Sequence, residues 1–201
     1  MDTKHYLKKT AEMIMKVLSF PFWVIFLTAG AVFGKRKAFA SVMQGVSLFP
    51  GVAGEWLRKG VLQWITRKKL DTCCISFGCL FSDPDVSIGN GVYLGSRCDI
   101  GKVTIGHDCV IGSAVHIMSG LRQHAFDRTD IPIRAQKNLF ERVTIGQDVW
   151  IGNAAVIAAD IGQGCVIGAG SVVVKPVPDY ATVAGNPARI IGSRKPDSTK
   201  K

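Results

Sequence analysis

A chain of 201 residues has room for one or two domains and a sizeable core, not for an elaborate multidomain enzyme. Its net charge of +10 is unevenly held: residues 1–70 carry 12 Lys and Arg against 3 acids, residues 71–201 carry 13 against 12. The basic third is also rich in Phe, Trp, Leu and Val, which favours anionic lipid head groups over nucleic acid as its partner.

In chain order, the first feature is the uncharged run VLSFPFWVIFLTAGAVFG at 17–34. As a helix it would reach about 27 Å, marginal against a bilayer core of about 30 Å, and Pro21 weakens a straight span. Lys8, Lys9 and Lys16 precede it and Lys35, Arg36 and Lys37 follow it. Positive flanks on both sides fit a segment that re-enters or lies on the cytoplasmic face of the inner membrane, and they disfavour a cleaved signal peptide. Next, Trp56, Leu57, Val61, Trp64 and Ile65 recur at helical spacing, with Arg58, Lys59, Arg67, Lys68 and Lys69 free to face away. This predicts a basic amphipathic helix in the membrane interface. The same spacing serves a helix packed on the protein's own core, and the apolar run before it tips the reading toward the membrane.

From Val86 to Val177 an aliphatic residue returns every sixth position, usually with glycine behind it, as in Ile88-Gly89, Ile111-Gly112, Ile145-Gly146 and Ile167-Gly168. Neither a helix nor a simple strand has this period, so the chain winds into flat-sided coils whose parallel ladders satisfy the backbone. The coils begin near Ser76 or Phe81. They break for a charged excursion at 121–142, resume at Ile145, and lose two residues between Ile157 and Ile161. Cys98, Cys109 and Cys165 fall at the second inward position, where Val92, Val115, Val149, Ala155 and Ser171 stand in other coils, and read as packing residues in a reducing compartment. The six cysteines include no CxxC pair, which points away from zinc. The expected division is a helical membrane-associating region at 1–75, a coiled domain at 76–192 and a solvated tail at 193–201.

The segments VTIGQDVWIGNAAVI, IGQGCVIGAGSVVVKPVPDYATVAGNPARII and MSGLRQHAFD resemble the hexapeptide-repeat acyltransferases over roughly 76–192. SLFPGVAGEWLRKG and FGCLFSDPDVSIGNGVYLG are similar to the subgroup found among bacterial surface-polysaccharide O-acetyltransferases. The resemblance implies a left-handed parallel β-helix, a homotrimer, acetyl-CoA as co-substrate without a metal, and a sugar or lipid-linked glycan hydroxyl as acceptor.

Acyl transfer from a thioester to a hydroxyl needs a base, oxyanion donors and a groove for both substrates. His124 matches the family's catalytic histidine and sits in the only long excursion, with Asp127 or Glu141 as candidates to orient it. His5 reads as incidental and His107 as a solvated corner. His116 points outward near the excursion and, with Asp99, Arg97 and Arg122, is a candidate for acceptor binding. Trp150 and Asn153 match positions beside the pantetheine chain; Gly152, Ala169 and Gly170 lack bulk and would let it approach. Lys175 and Arg189 match basic residues near the cofactor phosphates. Competing readings are a small-molecule enzyme similar to serine acetyltransferase, a non-catalytic scaffold, and a γ-type carbonic anhydrase. The last needs three zinc-binding histidines, and the spacings of nine and eight between His107, His116 and His124 do not suit it.

Overall fold

The computed structural model describes residues 3–70 and 72–195. Helices α1 (Thr3–Leu18), α2 (Phe20–Phe33), α3 (Lys35–Ser47) and α4 (Gly51–Thr66) come first. The stretch Tyr6–Phe33 is long and apolar enough to cross a membrane by length and composition, and most of it is not buried. Gly34, at φ +85°, reverses α2 into α3, so the apolar run is one limb of a helical hairpin.

The coils follow. Strands β1 (Cys74–Ile75), β2 (Leu80–Phe81) and β3 (Ser87–Ile88) make the first, and β4 (Tyr93–Leu94), β5 (Asp99–Ile100) and β6 (Val103–Ile105) the second. The third holds β7 (Val110–Ile111), β8 (His116–Ile117) and β9 (Val143–Ile145). The fourth holds β10 (Trp150–Ile151), β11 (Val156–Ile157) and the bridge at Ile161; the fifth holds β12 (Val166–Ile167), β13 (Val172–Val173) and the bridge at Val177. Strand β14 (Ala181–Ala184) begins a sixth coil, and β15 (Arg189–Ser193) folds back antiparallel on it.

Each coil contributes one rung to each of three parallel sheets, so β1, β4, β7, β10, β12 and β14 stack on face one, β2, β5, β8, β11 and β13 on face two, and β3, β6 and β9 on face three. The ladders hold residue on residue in register, as in Trp150 with Val110 and Val166. The inward aliphatics Ile75, Leu94, Ile111, Ile151 and Ile167 are buried, and the small-residue columns Cys79, Cys98, Val115, Ala155 and Cys73, Val92, Cys109, Val149, Cys165 fill the space beside them.

Two edges of this prism are uniform. Six positions separate Ile75 from Phe81, Leu94 from Ile100 and Ile111 from Ile117 around one edge, and Ile88 from Leu94, Ile105 from Ile111 and Ile145 from Ile151 around another. Each of these turns places one residue in the left-handed region, among them Arg97, Asp108, Ala114, Asp148, Ala154 and Tyr180. The third edge varies. Ile100 to Ile105 takes five positions, while Ile157 to Ile161 and Val173 to Val177 take four. The two missing residues are therefore a tight corner used twice, not a single lapse. The 121–142 excursion leaves at this same edge.

The Ile-Gly pairs have a steric cause. A Cβ on Gly146 would lie 2.5 Å from Gln163 N, and one on Gly106 would lie 2.6 Å from Gln147 N. Glycine is required because stacked coils touch backbone to backbone there. The left-handed turn sits two residues further on.

Helix α4 corrects the membrane-interface expectation. Leu57, Val61 and Leu62 are buried in one core with Phe39, Met43 and Val46 of α3 and Ile75 of the first coil. Arg58 and Lys59 face inward, 1% and 5% exposed. The Arg58 guanidinium donates to Phe49 O at 2.7 Å, Ile75 O at 3.0 Å and Val46 O at 3.4 Å, so it satisfies carbonyls at the end of α3 and on the first coil. Burial lowers its pKa from the ordinary arginine value. Lys59 Nζ pairs with Glu12 at 3.3 Å. At Gly60 a Cβ would meet Ser19 Oγ at 2.5 Å, which marks a close crossing of α4 with the α1–α2 junction. Chain order also extends past the expected tail boundary: Ser193 ends β15, and Arg194 N bonds to Tyr180 O at 2.7 Å. Residues 196–201 lie outside the described residues, as does the side chain of His5.

Candidate active site

The excursion is a two-stranded ribbon. Ala125 N donates to Lys137 O at 2.9 Å and Leu139 N to Gln123 O at 3.1 Å, with His124 bridging Asn138 between them. Gln136 folds the tip by bonding Arg128 O at 2.7 Å, and Arg128 pairs with Asp130. At the root, Glu141 N bonds to Ser119 O at 3.0 Å, and Arg142 donates to Val103 O at 3.2 Å and to Thr104 Oγ1 at 3.1 Å. Arg142 also pairs with Asp85, and that bond, with Lys102 adding to it, holds the Asp85 carboxyl below the usual range.

Two small cavities flank the ribbon. One, of about 160 Å³, is lined by Arg122, His124, Phe126, Asp127, Lys137 and Leu139. The other, of about 140 Å³, is lined by Ser82, Asp99, His116, Met118, Ser119 and Gln123. Alternation along the strand turns Gln123 toward the coil and His124 to the opposite side. In the second cavity Asp99 and His116 occupy adjacent rungs, with Asp99 Oδ2 4.0 Å from His116 Nδ1. A carboxylate and an imidazole on rigid strands can bond a polyol from both sides.

The structure thus joins Asp99 to His116 and Arg122 to His124. Arg97 stands apart: it takes the left-handed corner ahead of β5, over Gly78, and lines neither cavity. Asp127 shares the His124 cavity, whereas Glu141 packs against Gly120 at the root. His107 is an exposed corner as expected, and its Nδ1 accepts from Asn90 N at 3.0 Å. Sequence reasoning missed Gln123 and Ser82; the strand alternation beside His124 was the available signal for Gln123.

The residues expected to hold the cofactor fall into two groups. Lys175 and Arg189 line one cavity of about 390 Å³ with Val174, Pro176 and Ile190, on the variable edge above the ribbon. Trp150 lies on face one, 56% exposed, in line with exposed Val110 and Tyr93. Asn153, Ala169 and Gly170 mark the adjoining uniform edge, and Asn153 Oδ1 accepts from Ser113 N at 2.9 Å. Gly152 needs a correction. It is buried, and a Cβ there would strike Ala169 N at 2.5 Å, so its lack of bulk serves coil stacking rather than a ligand. Gly170 is exposed with open space around it. Among the described residues no three His, Cys, Asp or Glu side chains converge as metal ligands.

The family model described as the hexapeptide repeat of succinyl-transferase matches residues 85–117 and 142–175, on either side of the ribbon. A chloramphenicol acetyltransferase of Klebsiella aerogenes is 38% identical over 117 residues, 50% of this chain and 56% of that one. The putative lipopolysaccharide biosynthesis O-acetyl transferase WbbJ of Escherichia coli K12 is 36% identical over 121 residues, 57% of this chain and 60% of that one. The chain spans a little over half the length of these curated relatives. Among solved structures, a maltose O-acetyltransferase from Clostridium difficile 630 superposes with a TM-score of 0.69 at 20% identity, over 81% of this chain and 88% of that one. A hexapeptide-repeat acetyltransferase from Vibrio cholerae, complexed with acetyl coenzyme A, gives 0.61 at 25% identity over 83% of this chain and 92% of that one. Repeat pattern, stacked coils and these matches together show that the coiled part of the chain is built of the hexapeptide repeats found in these acetyltransferases.

Proposed function

We propose that this chain is an acetyl-CoA-dependent O-acetyltransferase that acts on a sugar hydroxyl of a surface polysaccharide or its lipid-linked precursor. The observation that carries the reading is the ribbon: the coil is interrupted at one edge only, and there it displays an outward His124 with Arg122 and Asp127, while Gln123 turns to the Asp99–His116 cavity. The imidazole takes the acceptor's hydroxyl proton as the oxygen bonds to the thioester carbon. The tetrahedral oxyanion is held by backbone N–H groups, the C–S bond breaks, and the departing thiolate takes the proton back from the imidazolium. Neither a cysteine nor a serine nucleophile enters, so both substrates are bound together.

The winding is read as left-handed, as in the family. The site is read as shared between copies in a homotrimer. Exposed Tyr93, Val110 and Trp150, stacked on face one, support a subunit contact there. A groove between copies would bring one protomer's Lys175 and Arg189 toward its partner's uniform edge, and would give the outward His124 a thioester to face. The cations suit the cofactor's phosphates. The apolar helical hairpin and the basic first third hold the enzyme at the cytoplasmic face of the membrane, where acetyl-CoA and lipid-linked sugars meet.

Mass spectrometry of the host's surface polysaccharide tests the activity. In a strain carrying His124→Ala the polymer loses the mass of one acetyl group per modified sugar; unchanged acetylation refutes the reading. Fractionation after deletion of residues 1–33 tests the attachment, since a folded remainder that still pellets with membranes would refute the hairpin's role.

A further inference from the structure

A two-stranded ribbon is marginally stable alone, so its direction must come from what holds its root. One of those holds comes from outside the coils. Arg36 is the second residue of α3, two residues after the Gly34 turn. Its guanidinium carbon lies 3.6 Å from the centroid of the Phe140 ring, on the ribbon's returning limb. On the coil side, Arg36 Nε donates to Ser82 O at 3.2 Å and stands 3.7 Å from Asp83 Oδ2. Phe140 follows Leu139, whose N–H is bonded to Gln123, the neighbour of His124. Arg36 is therefore fastened to the coil on one side and to the ribbon on the other.

We propose that Arg36 is a positioning residue: it sets the angle at which the ribbon leaves the coils, and so where His124 stands. This rests on His124 as the general base. Docking of the helices does not account for the contact. Buried Phe39, Met43, Val46, Leu57, Val61 and Leu62 already join them to the first coil, together with Arg58 and the bond from Gly78 N to Ser47 O. The Arg36 side chain is 39% exposed, and an ion pair so placed adds little to global stability. Its planar face is spent on Phe140 and its Nε on Ser82, a pair of contacts that lysine cannot reproduce.

Hydrogen exchange on the full chain reads this without an acceptor. In Arg36→Ala the amides of Ala125 and Leu139 exchange about tenfold faster, while those of β8 and α4 are unchanged. Thiol release from acetyl-CoA, with free hexoses and N-acetylhexosamines as acceptor probes, shows kcat lowered about tenfold and the KM for acetyl-CoA unchanged. Arg36→Lys recovers only part of the loss. Phe140→Ala reproduces Arg36→Ala, and the double variant is no worse than either. Ribbon exchange equal to wild type in both single variants overturns the proposal, as do losses that add in full in the double variant. If the wild-type chain acetylates no probe, the activity reading is in question and the exchange data still decide the role of Arg36.

Discussion

The uniform edges and the variable edge of the prism are built from the same rungs under different rules. On the uniform edges each turn has six positions and one left-handed residue, and a glycine meets the backbone of the coil above. On the variable edge the corner takes seven positions from Phe81 to Ile88, then five, then the 28 from Ile117 to Ile145, then four and four again, and the ladders still align: Val103, Thr104 and Ile105 pair with Val143, Thr144 and Ile145 across the insertion. Register is a property of the stacked faces, so one edge can be spent on chemistry without disturbing the scaffold. Changes on the two kinds of edge should therefore have different readouts.

The largest effect belongs to the variable edge. His124→Ala should cut kcat by a factor of about 10²–10⁴ with the melting temperature unchanged, as measured by thiol release and calorimetry. A matching loss of stability would merge the two regions and break the distinction. Ile151→Ala, at a side chain with no exposure, should do the reverse, costing about 2–5 kcal/mol in urea unfolding. Gly146→Ala should cost about 1–3 kcal/mol because its Cβ meets backbone. Gly170→Ala, left-handed but open, should cost about 1 kcal/mol. Equal losses at these two glycines would remove the steric account of the Ile-Gly pair. The smallest change is a gain: Ala154→Gly, at φ +58°, should stabilise the protein by about 0.5 kcal/mol, visible as a raised urea midpoint.

The coils were legible in the sequence because stacking is local and repetitive. Every sixth aliphatic faces in, and the cysteines at the second inward place had no other role to fill. The excursion stood out for the same reason, as the place where the period stops. What repetition cannot show is which contact a small residue serves: Gly152 looked like room for a ligand and is room for Ala169. Nor could spacing choose a partner for α4. A helix with Leu57, Val61 and Leu62 on one side suits a lipid surface or a protein core equally well. The apolar run before it tipped the reading toward lipid, but Arg58 and Lys59 turn inward to Phe49 O, Ile75 O and Glu12 on other stretches of chain. Nor does spacing show that Arg97 takes a left-handed corner outside the cavity that holds Asp99.

Strand β15 has one more consequence. Stacked parallel coils end in an unsatisfied rung, a template on which another molecule's first coil could add and so build filaments without limit. Here α3 and α4 close the starting end. At the other, Val172 is met by Gly185 and Ala188, and β15 runs backward beside β14 with its register shifted at Thr182 and Val183. A reversed, irregular strand that begins at Arg189 and is followed by Arg194 offers no match to an incoming parallel coil, so the tower does not extend by end-to-end stacking.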